Sequence, residues 1–353
     1  MDNTQAAWRQ EAEARELKLE FSATGSEYFR IWIVNLLLSI VTFGIYSAWA
    51  KVRSNQYFYS STRLDGSSFE YHGNPKAILK GRILALVLVG AYNLAFKISP
   101  LLGLAIMVVV AIVMPVLVWR SMQFKLYNTS YRGIRFGFDG DKRNAYIHYL
   151  WLPLLVTLSL GLALPFVHQR VKRFQHSEAR FGSTKFSFDA SVGSFYRQYL
   201  IFFAITLAGS IVCSVAGFFL GAAFAHALPF GGQAAATILM IGLTYLWLFS
   251  IWPLFQSRLQ NLIWNHTQLG QHGFRSELAW GRLTFIYLSN LLGVILTLGL
   301  FIPFAKVRAL KYRLESASLL AAGSLDDFIA GVQQEVDATG EGVADIIDLD
   351  LAL

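Results

Sequence analysis

The sequence predicts an all-α, multi-pass membrane bundle with internal repeats, and three observations support this class. Hydrophobic residues make up 55% of the 353 residues, which exceeds the share found in soluble domains. The apolar run over residues 101–119 is long enough to cross a bilayer. In addition, residues 35–53, 152–170 and 290–308 repeat one pattern, and an internal repeat of this kind dictates the architecture.

Four full spans are predicted in two long apolar regions, at about residues 78–119 and 197–256. Each region is interrupted by a short segment that contains proline, near residues 97–100 in the first and near residues 229–232 in the second. Each region therefore predicts two helices joined by a loop. Neither region contains Asp or Glu, which weighs against an ion-coupled transporter.

The three repeated segments predict short helical units that bend at a glycine. Gly44, Gly161 and Gly299 align, and glycine permits a chain reversal. A hydroxyl side chain precedes each glycine by two positions and can bond to the carbonyl groups that a bend frees. Because bare irregular backbone is not tolerated in lipid, we expect the long helices to cover the bends. The hydroxyl residues are Thr42, Ser159 and Thr297.

These short units, at about residues 29–50, 148–167 and 285–305, could each cross the membrane or turn back within it. Crossing units would divide the Lys and Arg residues between the two sides. Units that turn back place every basic residue except Lys97, and both termini, on one side. The positive-inside rule favours this second arrangement. The sequence thus predicts re-entrant or partly inserted units, with basic loops and both termini in the cytoplasm.

Four polar loops between the apolar segments also resemble one another. Each contains a glycine followed within four residues by a phenylalanine, in a pattern typical of a β-hairpin. We expect these hairpins, with one more strand from residues 17–25, to form a small β-rich layer at the membrane surface. The glycine and phenylalanine pairs are Gly66 and Phe69, Gly133 and Phe136, Gly182 and Phe186, and Gly270 and Phe274.

An aromatic residue and basic or histidine residues follow the glycine in every repeat. A ring followed by a cation is typical of a helix end at headgroup level. The simplest interpretation is an interfacial anchor, and the alternative is a site for an anionic lipid or another anionic ligand. The residues of this set are Trp49, Lys51, Arg53, Phe166, His168, Arg170, Phe304, Lys306 and Arg308.

Asn35 and Asn290 occupy one repeat position within the apolar arms, where the middle copy has Leu152. An asparagine here can form an interhelical hydrogen bond or provide the polar lining of a pathway. The sequence contains no recognisable catalytic motif. We therefore predict no catalytic, cofactor or metal site, and we expect anionic membrane lipids as partners instead of nucleic acid. A protein partner cannot be named from the sequence.

The chain divides into a polar N-terminal segment (1–16), a repeat-built membrane domain (17–313) and an acidic C-terminal tail (314–353). Nine acidic residues and no basic residue follow Arg313. Within the tail, residues 324–336 predict a short helix with Ser324 as its N-cap and one apolar face. We expect this helix to pack against the basic layer.

The quoted motifs resemble those of the YjgN-like family of bacterial inner-membrane proteins, which is built on a domain of unknown function. The residues that carry the resemblance are Asn35–Leu38, Thr42–Tyr46, Ala48–Arg53, Tyr57–Tyr59, Thr62–Gly66, Phe69, Thr297–Gly299, Pro303–Arg308 and Gly340–Asp345. It implies a cytoplasmic-membrane location and no established activity. The best functional prediction is transport or handling of a small molecule or lipid; a non-catalytic scaffold that binds anionic lipid or a protein partner is the alternative.

Overall fold

The computed structural model describes residues 15–227 and 231–333. Within these residues, ten strands form one closed antiparallel barrel, in which every strand pairs with its neighbours in sequence. β1 pairs with both β2 and β10, so the meander closes on itself. The strands are β1 (Arg15–Phe21), β2 (Thr62–Leu64), β3 (Ser67–Tyr71), β4 (Thr129–Tyr131), β5 (Ile134–Phe138), β6 (Ala179–Phe181), β7 (Thr184–Phe188), β8 (Thr267–Leu269), β9 (His272–Ser276) and β10 (Ala317–Ala321).

Tight turns alternate with helical connections around the barrel. Five connections are helical units, which we number in chain order. Unit 1 contains α1 (Gly25–Val41) and α2 (Ser47–Ser60); unit 2 contains α3 (Pro75–Ile98) and α4 (Pro100–Tyr127); unit 3 contains α5 (Lys142–Tyr146), a π-helical turn (Ile147–Trp151), α6 (Leu152–Leu158) and α7 (Leu164–Ser177); unit 4 contains α8 (Val192–Ala227) and α9 (Gly232–Asn265); unit 5 contains α10 (Trp280–Leu296) and α11 (Ile302–Glu315).

This alternation separates the two ends of the barrel. Successive strands of an up-and-down barrel run in opposite directions, so every tight turn lies at one end and every helical unit leaves and rejoins the other end. Each unit also packs against the next, and α11 of unit 5 packs against α1 of unit 1. The five units therefore form a closed ring on one rim of the barrel.

Four described helices are long and apolar enough to cross a membrane, and they lie in units 2 and 4, where the sequence predicts them. These helices are Pro75–Ile98, Pro100–Tyr127, Val192–Phe224 and Gly232–Asn265. Units 1, 3 and 5, hereafter the short units, contain shorter helices that end at the predicted bends. Units 2 and 4 are the long units.

The predicted all-α class with a small hairpin layer is wrong, because the strands form a closed ten-stranded barrel. The expected hairpins exist, but each also pairs with its neighbours, as β3 does with β4 and β5 with β6. Pairing of this kind joins strands that are separated in sequence by a whole helical unit. Local sequence patterns therefore do not predict it. The closing strand β10 lies within residues 314–353, which the sequence predicts to be an acidic tail.

The barrel interior is filled by apolar side chains in a fivefold pattern. The predicted Phe69, Phe136, Phe186 and Phe274 come from four alternate strands and pack against one buried cluster. Ring centroids of Phe69 and Phe136 are 6.5 Å apart, and those of Phe186 and Phe274 are 6.1 Å apart. Leu19 of β1 takes the fifth place. The barrel is therefore a hydrophobic core that anchors the ring.

A helix over residues 325–333 covers the tight-turn end of the barrel. Its apolar face joins the barrel core through buried side chains and through Phe328, which packs at 4.5 Å on the His272 ring. Asp326 accepts a hydrogen bond of 2.5 Å from Arg132 of the β4–β5 turn. The structure thus contains the expected tail helix and its basic partner, and residues 334–336 of the prediction lie outside the described residues.

Polar side chains cap the first helices of units 1, 2 and 3, directly after the preceding strands end. Asn74 Oδ1 accepts from the backbone N–H of Lys76 at 2.9 Å, and Asp141 Oδ1 accepts from Asn144 at 2.7 Å. Thr24 starts unit 1 in the same way. Such caps satisfy N–H groups that have no partner within the helix, so they fix the point at which units 1, 2 and 3 leave the barrel, whereas unit 5 begins after Ala279 without a side-chain cap.

Candidate functional site

The five units carry equivalent residues in their second helices, although sequence inspection finds only three copies. Five arginines lie at the same distance before the strand that follows each unit. A buried small or cyclic residue, Ala48 or a proline, precedes each arginine at one spacing. The pattern that identifies all five copies is the constant spacing from the proline or Ala48 to the arginine, and from the arginine to the next strand. The arginines are Arg53, Arg120, Arg170, Arg258 and Arg308, and the prolines are Pro115, Pro165, Pro253 and Pro303.

Two arginines of this set, Arg258 and Arg308, join the two arms of their own units. Arg308 donates to Asn290 Oδ1 at 2.8 Å, and Arg258 donates to Gln198 Oε1 at 2.7 Å. Arg170 lies 5.2 Å from the centroid of the Phe166 ring. Arg53 is exposed. The geometry of the bonded arginines is that of a clamp within the protein.

The two asparagines are buried but differ in their partners. Asn290 donates to the Ala305 carbonyl at 3.0 Å and accepts from Arg308, so its amide bridges α10 and α11. Asn35 is 4% exposed, and neither polar atom of its side chain has a hydrogen-bond partner among the described residues. Asn290 thus has the interhelical role, and Asn35 makes no such bond among the described residues.

Lys306 crosses from unit 5 to unit 1, where it rests on aromatic rings. Its ammonium group donates to the Tyr28 hydroxyl at 3.2 Å and lies 4.8 Å from the centroid of the Phe58 ring. Phe304 contacts unit 1 as well, with its ring centroid 5.7 Å from that of Phe29. These contacts close the ring of units.

Four lysines from four different units influence one another, and we call Lys51, Lys125, Lys172 and Lys306 the lysine cluster. Burial lowers the pKa of Lys51, and repulsion from Lys306, Lys125 and Arg82 lowers it further. Burial also lowers the pKa of Lys172, with a further contribution from Lys125. The cluster thus holds positive charges that are close enough to repel one another.

The lysine cluster has no acidic partner within residues 15–227 and 231–333. Ion pairs found there involve other bases, such as Arg132 with Asp65 at 2.8 Å and Arg180 with Asp139 at 2.8 Å, both at the barrel. Partly desolvated cations that repel one another lower the stability of the folded chain unless an anion accompanies them. The cluster is therefore suited to an anionic group.

His168 differs from the lysines at the equivalent repeat position. Its Nδ1 lies 2.8 Å from the Tyr199 hydroxyl, on the neighbouring long unit. Burial, followed by the charge on Lys172, lowers the pKa of His168 to about 4. The ring is therefore neutral near pH 7, because a buried imidazole loses the hydration that favours its charged form.

At the predicted bends, α1, α6 and α10 end just before the hydroxyl residue. The hydroxyl of Thr42 donates to the Leu38 carbonyl at 2.7 Å and accepts from the Tyr46 N–H at 2.9 Å. Thr297 makes the equivalent pair of bonds, and Ser159 accepts from the Ala163 N–H but donates to the Val156 carbonyl, three positions back. The Tyr46 ring stacks on the Trp49 ring, and their centroids are 6.3 Å apart.

The expected cover over the bends is absent among the described residues. A Cβ atom added at Gly44 or Gly161 would meet nothing within 4 Å, and one at Gly299 would meet only Ile302 Cδ1 of the same unit at 3.7 Å. A side chain added at Gly299 would therefore begin in open space and not against a covering helix. What requires glycine there is the left-handed φ of 95°.

The chain resembles proteins that carry no assigned activity. The family model described as "Bacterial protein of unknown function (DUF898)" matches residues 16–346. "Inner membrane protein YjgN" of Salmonella typhimurium is 29% identical over 147 residues, or 41% of this chain and 37% of that protein. The protein of the same name from Escherichia coli O157:H7 is 29% identical over 147 residues, or 40% of this chain and 36% of that protein.

The Escherichia coli K12 protein, also called "Inner membrane protein YjgN", is 26% identical over 147 residues, or 40% of this chain and 36% of its own length. The chain thus spans a little over a third of the length of the curated relatives it matches. No solved structure matches it at a significant level. Because the family model covers nearly the whole chain, the protein belongs to the DUF898 family of bacterial proteins of unknown function.

Proposed function

We propose that this chain is an inner-membrane protein that handles anionic phospholipids, whose headgroups it binds at the lysine cluster. The location is supported by the names of the relatives, which are inner membrane proteins. It is also supported by four helices that are long and apolar enough to cross a membrane. The headgroup specificity is supported by the uncompensated charge of the cluster.

In the proposed orientation, the barrel and both termini face the cytoplasm. All five units leave the same rim of the barrel, so the tight turns and the strands lie together on one side of the ring. Most Lys and Arg residues lie near that side. The positive-inside rule then favours a cytoplasmic barrel, and it makes the cytoplasmic leaflet the source of the bound headgroup.

The single observation that carries the proposal is the absence of a carboxylate partner for the lysine cluster among the described residues. A phosphate group offers several acceptor oxygens and a full negative charge to ammonium donors. It would offset the mutual repulsion of Lys51, Lys125 and Lys306. Anionic lipids also concentrate at the cytoplasmic surface of the membrane, which in this orientation is where the units meet the barrel.

The depth of the lysines suits a headgroup. Lys51 and Lys306 each follow their bend glycine by about two helical turns, or roughly 10 Å at 1.5 Å per residue. One leaflet of hydrocarbon is roughly 15 Å thick. A long lysine side chain can extend over the difference and place its ammonium group among the phosphates.

A non-catalytic scaffold is the second candidate, and the filled barrel favours it over transport of a small molecule. The described barrel core is occupied by apolar side chains and by the helix over residues 325–333. Asn290, a predicted lining residue, is engaged by Ala305 and Arg308. These contacts support a role in holding lipid or a partner at the surface of the protein.

Native mass spectrometry of the delipidated protein tests the proposal. Phosphatidylglycerol should bind several-fold more than phosphatidylcholine, and Lys51→Gln combined with Lys306→Gln should remove most of that preference. Lys18→Gln is the matched control, because Lys18 is exposed on β1, away from the cluster. Equal binding of both lipids, or an unchanged preference in the double variant, would overturn the proposal. Competition by inorganic phosphate would show that a free anion occupies the site instead.

A further inference from the structure

The tip of each short unit exposes one large apolar side chain almost completely. Phe43 is 98% exposed, Leu160 is 94% exposed and Leu298 is 95% exposed. Each side chain directly precedes the bend glycine. A single exposed apolar residue is ordinary, but the same exposure at three equivalent tips indicates a shared environment.

These three residues also adopt a backbone conformation that bulky side chains avoid. Their φ angles are 49° for Phe43, 51° for Leu160 and 50° for Leu298. A left-handed conformation costs roughly 1–2 kcal/mol for a residue with a Cβ atom. Asparagine or glycine would relieve this strain, so a large apolar side chain at the tip needs a compensating interaction.

The barrel turns provide an internal comparison. Two of them have the same pair of left-handed residues, with φ of 46° at Asp65 and 74° at Gly66, and 49° at Arg132 and 78° at Gly133. There the residue before glycine is charged and lies among polar groups of neighbouring turns. One backbone geometry thus carries charged residues at the barrel and apolar residues at the tips. The environment differs between the two ends.

The backbone of each tip is suited to lipid. At the first tip, every N–H group from residue 42 to residue 47 has an acceptor within the unit, including Gly44 N–H to the Ser39 carbonyl at 2.7 Å. The N–H groups of residues 159–164 and 297–302 follow the same pattern. Hydrocarbon requires this internal pairing, so the bends can lie in lipid without a protein cover.

We propose that the three tips insert into the hydrocarbon of the leaflet nearest the barrel, with Phe43, Leu160 and Leu298 in contact with acyl chains. This inference rests on the membrane location proposed above, but it is independent of any headgroup bound by the lysine cluster. The tips return to the barrel rim from which their units start. They therefore occupy one leaflet, while the long units continue into the other.

Nitroxide depth measurements test the insertion. In a Cys213→Ala background, single cysteines at Phe43, Leu160 and Leu298 are labelled and the protein is placed in phosphatidylcholine bilayers. Val108→Cys, on a half-exposed site of α4, provides the hydrocarbon reference, and Gln271→Cys, in a barrel turn, provides the aqueous reference. Labels at the tips should collide more often with oxygen than with a polar nickel complex. The label at position 108 should show the same preference. A nickel-accessible tip, on either side of the membrane, would overturn the proposal.

A second measurement avoids the nitroxide. Leu298→Asn removes backbone strain, so it should raise the melting temperature if the tip is in water. If the tip is in hydrocarbon, the buried amide should lower the melting temperature instead. Because these bilayers contain no anionic lipid, failure here leaves the lysine proposal untouched, and failure of lipid selectivity leaves the insertion untouched.

Discussion

Each unit has a root, where it leaves and rejoins the barrel, and a tip at its far end. The short and long units have similar roots and different tips. At the root, His72 N–H of a long unit bonds to the Asn128 carbonyl at 2.8 Å, and Asp139 N–H of a short unit bonds to the Glu178 carbonyl at 2.8 Å. The buried proline and the arginine of the second helix also recur in both. The root therefore fixes attachment to the barrel, and the tip determines how deeply a unit reaches.

The order of the units makes the ring asymmetric. Units alternate short, long, short, long and short, so units 5 and 1 are neighbours and both are short. Beyond the tips, the two long units are separated by one short unit on one side and by two on the other. Lys51 and Lys306 belong to these two adjacent short units. These two lysines of the cluster therefore lie on the side of the ring that has the wider gap.

The boundary between a short and a long unit gives the largest predicted effect. His168 on α7 contacts Tyr199 of unit 4, whereas the equivalent Gln256 of unit 4 accepts a 2.8 Å hydrogen bond from Tyr287 of unit 5. Burial lowers the pKa of His168 to about 4, with a further contribution from Lys172. Between pH 6.5 and 4 the unfolded chain thus binds the proton that the folded chain excludes.

The free energy of unfolding is therefore not reduced by His168 above pH 6.5. As the pH falls towards 4, this residue lowers it by up to about 3 kcal/mol. His168→Gln should remove that part of the loss, because glutamine occupies the equivalent position without titrating. Unfolding in detergent from pH 7 to 4 measures it. The free energies of unfolding of the parent protein and of the His168→Gln variant should differ by a constant above pH 6.5. Below that pH the two curves should converge or cross. Parallel curves throughout would show that His168 is not the source.

The hydroxyl of a bend should be worth more than a hydroxyl in a long helix. Thr297→Val removes the acceptor of the Phe301 N–H, which then has no partner within the bend. The expected loss is about 1–3 kcal/mol. Thr237→Val on α9 is the control, because its exposed hydroxyl only donates back to the Gln233 carbonyl. That variant should change stability by less than about 0.5 kcal/mol.

The free energy of unfolding of both variants, measured in the same bilayer or detergent, decides this comparison. Equal losses would mean that the bend hydroxyl is only an ordinary back-bonding threonine. The bend would then owe its geometry to the glycine alone.

The sequence predicts the parts of this fold that depend on local pattern. Four spans follow from apolar length, and the bends follow from a hydroxyl and a glycine at fixed spacing. The tail helix follows from Ser324 and one apolar face. In each case the stabilising contacts lie within a few residues, or one face of the pattern must be buried wherever it docks.

The closed barrel depends on contacts that no local pattern contains. Strands of three residues, such as β2 and β4, are too short to show alternation, and β10 occurs in a segment that reads as a tail. The long units lack the bend signature, so two of the five repeats were missed. The lysine cluster was found only in part, because Lys125 and Lys172 lie outside the repeated motif and approach Lys51 through the ring.

The smallest predicted effect also has the clearest sign. Gly299→Ala places a Cβ atom on a residue with a φ of 95°, which should cost about 1 kcal/mol through backbone strain, since only Ile302 Cδ1 lies within 4 Å of that atom. Gly242→Ala, within the long helix α9, meets nothing within 4 Å and should stabilise the protein by about 0.5–1 kcal/mol. Thermal unfolding of both variants should therefore show opposite shifts. A gain at both positions would mean that the bend relaxes to a right-handed conformation, and a short unit would then be free to extend as a long unit does.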